Sequence, residues 1–219
     1  MSSLKRSKSD TRCILATCNL NQWANDFDGN LKRIKESIIE AKLQGAKYRL
    51  GPELEVCGYS MEDHFLELDC YMHCDESIAE LLDSDLTDGI LCDIGCPVMH
   101  NNVRYNCRIF CLNRKIILIR PKFILADDGN YRERRYFTSW KSLNELQDHK
   151  VSDTIFAITG ERSVPFGVAA ISTQETLLAS EICEELWTPQ SPHIQMALAG
   201  VEIFTNGSGT CSCSTKVSS

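Results

Sequence analysis

Three residues stand where an apolar run turns polar. Glu53 directly follows "RLGP", Lys122 directly follows "IILIRP", and Cys183 closes "LLASEI". A thiol attacks as its thiolate, so at neutral pH it needs a nearby base. A carboxylate whose pKa is raised by desolvation can be that base. An ammonium beside it can stabilise the thiolate and then the oxyanion of a tetrahedral intermediate. Set against this, a cysteine is more often a small packed hydrophobe, and a glutamate or lysine is more often solvated or salt-bridged. Spacing alone leaves both readings open.

What would bring the trio together is a sheet. Function in open α/β sheets collects at the carboxyl ends of strands, which are rigid and lead into the loops of a crevice. If the three preceding strands run parallel, their ends bring carboxylate, ammonium and thiol to one place. Glu55 lies two residues after Glu53, so on an extended strand it points to the opposite face.

The pattern supplies such strands. "RCILATCNL" reads as a first strand, and "KYRLGPE" as a strand broken by Gly51–Pro52. Between them Leu31, Ile34, Ile38 and Ala41 recur at helical spacing, with Asp28 or Asn30 as cap and Gly45 as stop. "DESIAELLDS" reads as a short amphipathic helix and "GILCDIGCPVM" as a strand. "VRYNCRIFCLNRKIILIRPK" reads as a hairpin turning near Asn113–Arg114. "SVPFGVAAIST", "LLASEIC" and "VEIFTN" complete the strands, and "SPHIQMALAG" is a helix with Pro192 at its start and Gly200 past its end. Alternating strands and helices with a hairpin indicate a layered α/β domain with a mixed sheet.

Composition narrows the class. With 43% hydrophobic and 24% charged residues in 219, the chain reads as one sizeable globular domain. A net charge of −7 and no long basic stripe argue against nucleic acid. No apolar run reaches the roughly 20 residues that cross a bilayer. Twelve cysteines scattered through apolar runs read as reduced thiols of a cytoplasmic protein rather than a disulfide framework. Residues 1–11 read as a frayed leader, 12–209 as the domain and 210–219 as an irregular tail.

"GPELEVCGY", "RPK…GNYRERRYF" and "ASEICEELWTPQSPH" resemble the three signature segments of the nitrilase (carbon–nitrogen hydrolase) superfamily. More narrowly, the segments from about Cys13 to Gly209 resemble the glutaminase domains of the eukaryotic glutamine-dependent NAD+ synthetase family. That resemblance implies an α-β-β-α sandwich with mixed sheets, incomplete at its C-terminus. It implies Glu53 as general base, Lys122 as oxyanion-stabilising lysine and Cys183 as nucleophile. Glu133 would position substrate and support the lysine, Tyr131 would contact substrate, and Glu184 would lend its backbone N–H to the oxyanion. The substrate would be glutamine, with no metal or cofactor in this domain. ATP and Mg2+ would serve a synthetase domain that this chain lacks, converting nicotinic acid adenine dinucleotide to NAD+ with the released ammonia. Homo-oligomers or association with a full-length synthetase are implied as partners. Relatives continue beyond the segment matching "TNGSG", so marginal stability and weak activity are expected of this chain.

Three rivals remain: an amidase for another ω-amide, a catalytically silent assembly partner, and a metal site built from His64, Cys70, His73 and Cys74. Trp187 and Phe137 read as core residues.

Overall fold

A computed structural model describes residues 12–143 and 145–209 of the chain. Its strands are β1 (Leu15–Thr17), β2 (Tyr48–Leu50), β3 (Leu91–His100), β4 (Val103–Leu112), β5 (Lys115–Pro121), β6 (Leu146–Lys150), β7 (Ser163–Gly167), β8 (Ile171–Ser172), β9 (Leu177–Ile182) and β10 (Ile203–Gly207). The helices are α1 (Phe27–Leu43), α2 (Leu68–Asp83), α3 (Glu133–Tyr136), α4 (Asp153–Thr159) and α5 (Pro192–Leu198). Seven strands form one mixed sheet in the order β1-β2-β3-β4-β5-β7-β6, and β10-β9-β8 form a second.

The apolar stripe of α1 is the one its spacing dictates: Leu31, Ile34, Ile38 and Ala41 are all buried. The cap differs from expectation. Asp26 caps the helix by accepting from the Gly29 N–H at 3.1 Å. Asn30 lies inside the helix, where its buried amide donates to the carbonyls of Trp23 and Val56. Helix α2 begins seven residues before the run read from sequence, because Cys70, Tyr71 and Cys74 extend its buried face. The β4–β5 hairpin turns at Asn113 and Arg114, both at positive φ, as a two-residue turn between twisted strands requires.

Two cores define the layers. The larger lies where α1 and α2 cover the outer face of the seven-stranded sheet. The smaller joins Tyr48, Leu50, Leu91, Phe110 and Leu118 to Leu178 of β9, so it lies between the two sheets. With α5 packed on β9, the order is helix, sheet, sheet, helix.

Charge is buried between the sheets as well. Arg108 on β4 donates from Nε to Asp93 Oδ1 at 2.5 Å and from its terminal nitrogens to the carbonyls of Gly51 and Pro52. Asp93 also accepts from the Tyr48 hydroxyl, which contacts Thr205 of β10 at 2.9 Å. Both charged side chains are fully buried, so removing one strands the other in a low-dielectric interior. Asp93→Ala should therefore lower unfolding free energy by about 3–5 kcal/mol, measured as a fall in denaturant midpoint at unchanged slope.

Candidate active site

Strand direction decides where the three reactive residues go. Strands β2 and β3 are parallel, and β4 is antiparallel to both β3 and β5. Hence β2 and β5 run the same way in one sheet, and Glu53 and Lys122 leave it at the same end. Cys183 follows β9 in the second sheet, so the three strands do not share a sheet as the sequence suggested.

Glu53 and Lys122 meet directly. The Lys122 ammonium donates to Glu53 Oε1 at 2.6 Å and to Glu133 Oε1 at 2.8 Å, and all three side chains are buried. Asn106 donates to Glu53 Oε1 at 2.7 Å, and the Gly209 N–H donates to Oε2 at 3.2 Å. Glu133 accepts from the Tyr59 hydroxyl at 2.6 Å and from the Ala126 N–H at 3.0 Å. Glu55 is elsewhere, paired with the buried Arg49 at 2.6 Å. Alternation along a strand is not the cause. Leu54 has φ +51, so the chain has already left the sheet and turns between the two glutamates.

Cys183 joins this group through the end of β10. The Ser208 hydroxyl lies 3.3 Å from its sulfur, one residue before the Gly209 amide that holds Glu53. Asn206 donates to the Cys183 carbonyl at 3.2 Å. Cys183 itself has φ +43, a conformation that costs a non-glycine residue on the order of 1–3 kcal/mol. The strand thus breaks sharply into a 3-10 turn, Cys183–Trp187.

Glu185 fixes that turn. Its carboxylate accepts from Arg120 of β5 at 2.5 Å and from the Ile182 N–H at 2.7 Å. Its other oxygen accepts from the N–H groups of Phe123 and Ile124, just past Lys122. One buried carboxylate therefore ties the residue before the thiol to the residues after the ammonium.

Two adjoining cavities open here. One, of about 640 Å³, is lined by Glu53, Tyr59, Ser208 and Gly209. The other, of about 530 Å³, is lined by Tyr59, Tyr131, Glu133, Phe137 and Gly209. Tyr131 stands edge-on to Tyr59 with ring centroids 6.0 Å apart. Glu184 is half-buried and lines neither cavity. Phe137 is both core and cavity wall, whereas Trp187 is 76% exposed and not in the core. His64 and His73 point outward onto Glu67 and Glu76, so the four-residue metal cluster read from sequence does not assemble. Tyr59, Asn106, Ser208 and Glu185 were not legible as site residues. "CGY" and "TNGSG" lay inside quoted segments, but only the folded chain shows what they touch.

Residues 14–218 match the family model for carbon-nitrogen hydrolase. The chain belongs to the carbon–nitrogen hydrolase family, and its fold is that of the nitrilase superfamily. It is 56% identical over 199 residues to the glutamine-dependent NAD(+) synthetase of Bos taurus, and 60% identical over 197 residues to that of Dictyostelium discoideum. The matches cover 91% and 90% of this chain but 28% of each relative, so the chain spans little more than a quarter of their length. A glutamine-dependent NAD(+) synthetase from Cytophaga hutchinsonii superposes with a TM-score of 0.74 at 25% identity, covering 89% of this chain and 30% of that one. A nitrilase-superfamily amidase from Nesterenkonia superposes at 0.69 and 15% identity, covering 89% and 64%.

Burial sets the ionisation of the groups around Lys122. Burial, then the field of Glu53, pushes the Glu133 carboxyl up to about 7, while Lys122 and Tyr59 pull the other way. Burial works to lower the Lys122 pKa, but the paired carboxylates outweigh it and raise the value, so the ammonium stays charged. Burial raises the Tyr59 hydroxyl far above its usual range, with Glu53, Glu133 and Cys183 adding to it. A raised carboxyl binds a proton more tightly in the folded chain. Its stabilisation is complete below the ordinary value of 4.5 and is lost as pH rises through about 7. Wild-type stability should lose roughly 2–4 kcal/mol across that window relative to Glu133→Gln, read from urea midpoints at a series of pH values.

Proposed function

We propose that the chain hydrolyses the side-chain amide of glutamine through a thioester on Cys183. The carrying observation is the Glu53–Lys122–Glu133 cluster joined through Ser208 and Gly209 to the Cys183 thiol. Glu53 takes the thiol proton and the sulfur attacks the amide carbon. An ammonium has three donors. Two of those on Lys122 go to carboxylates, and the third serves the developing oxyanion together with the Glu184 N–H. Glu53 then protonates the departing ammonia and later activates the water that releases glutamate. Glu133 and Tyr59 hold Lys122 from behind, and Tyr131 faces substrate in the adjoining cavity. No metal takes part in these steps.

Similarity to glutamine-dependent NAD(+) synthetases supports glutamine over other ω-amides. The ammonia would feed an ATP- and Mg2+-dependent amidation of nicotinic acid adenine dinucleotide, carried out outside this domain. Cytoplasmic placement accords with the many buried thiols among the described residues. No described helix is long and apolar enough to cross a membrane.

Ammonia release from glutamine and from a panel of ω-amides tests this reading. Cys183→Ala should lose activity by at least three orders of magnitude, on the order of what removing a nucleophile costs. Lys122→Ala should lose about 10²–10³. Equal turnover by the Cys183→Ala chain defeats the thioester mechanism.

Self-assembly, or pairing with a longer synthetase, is supported by large apolar side chains left exposed along the 183–187 turn and α5: Leu186, Trp187, Ile194 and Leu198. Trp187→Glu with Leu198→Glu should shift the chain to a smaller species in sedimentation, with far-ultraviolet dichroism unchanged.

A further inference from the structure

Away from the cleft, thiols gather in the core. Cys57 belongs to the turn that carries Glu53, and Cys70 and Cys74 lie four residues apart on α2, which places both on one helical face. Their three sulfurs all lie within 4.8 Å of one another. The residues are 0–4% exposed. Cys96 on β3 is equally buried. The hydrolysis proposed above uses none of the four, and alanine or valine would fill the same space without sulfur.

The geometry points to a binding site for one thiophilic metal ion, Zn2+ or Cu+, held by Cys57, Cys70 and Cys74. Sulfurs bound to one ion at about 2.3 Å stand about 4 Å apart, so the trio needs only a small contraction. The donor set is all sulfur, with His64 and His73 turned away to Glu67 and Glu76. Thiolate donors select Zn2+ or Cu+ over Mg2+, Ca2+ or Mn2+. Closed zinc sites take four ligands, and Cys96, buried on β3 but outside the 4.8 Å trio, would have to move inward to be the fourth. Binding would draw together the turn behind Glu53 and helix α2, and release one proton for each thiol that ligates.

The full chain, purified reduced and metal-free, is titrated with Zn2+, with Cu+, and with Cd2+ as a spectroscopic probe. One ion should bind per chain, with a thiolate-to-Cd2+ charge-transfer band saturating at one equivalent and a rise in Tm. Cys57→Ser, Cys70→Ser and Cys74→Ser should each weaken binding by at least about ten-fold. Cys111→Ser, equally buried but outside the cluster, should leave it unchanged. A Zn2+ loss in Cys96→Ser would mark a four-thiolate site, and its retention a three-thiolate one. The proposal falls if the folded wild-type chain shows no such band, or if the band survives in the triple serine variant. Each readout is independent of glutamine hydrolysis, so failure here leaves the hydrolase reading untouched.

Discussion

The site depends on a single buried carboxylate. Nucleophile and base arise on different sheets, and sheets that meet through a thin apolar layer can slide on one another. Glu185 removes that freedom. It takes the Ile182 N–H from the end of β9, and Arg120 with the Phe123 and Ile124 N–H groups from the end of β5. Four donors on one carboxylate satisfy what burial would otherwise leave unpaired. The relative position of thiol and ammonium is then set by hydrogen bonds whose lengths tolerate little change.

A second buried layer repeats the logic on the side of the base. Arg108 binds the carbonyls of Gly51 and Pro52, the two residues that precede Glu53, while Asp93 and Tyr48 relay to Thr205 on β10. Strand β10 must come close for this, and its last residue has to be glycine. A Cβ on Gly207 would stand 2.5 Å from an Arg108 nitrogen. That close approach delivers Ser208 to the thiol and the Gly209 N–H to Glu53. Buried ion pairs are weak evidence for stability, and here each also carries an active-site segment.

Much of this was legible at the ends of strands and little of it between them. Glu53, Lys122 and Cys183 are visible because each follows an apolar run at a point where polarity changes abruptly. Nothing local in the sequence marks Arg108, Arg120 and Glu185 as buried charges, since their partners lie 15 and 65 residues away along the chain. Strand β6, "LQDHK", escaped because it is an edge strand with no fully buried face, so its apolar alternation is absent. Helix α4 spans seven residues, too few for a helical period to declare itself. In the thiol cluster, Cys70 and Cys74 announce a shared face by spacing, but Cys57 joins them only through the turn after Glu53.

Strain explains why so much buried charge is assembled around so few atoms. Leu54 and Cys183, one beside the base and the other the thiol itself, both adopt positive φ without being glycine. Such conformations relax unless their surroundings over-determine them. At Leu54 the restraint is Arg108 on the preceding carbonyls together with the turn's own bonds, including Gly58 N–H to the Leu54 carbonyl at 2.8 Å. At Cys183 it is Glu185 on one side and Asn206 on the other. A relaxed strand end at either point would carry its side chain along the sheet instead of turning it toward the cleft. The buried network thus holds two unfavourable backbone conformations in place, and those conformations aim the base and the thiol at one space.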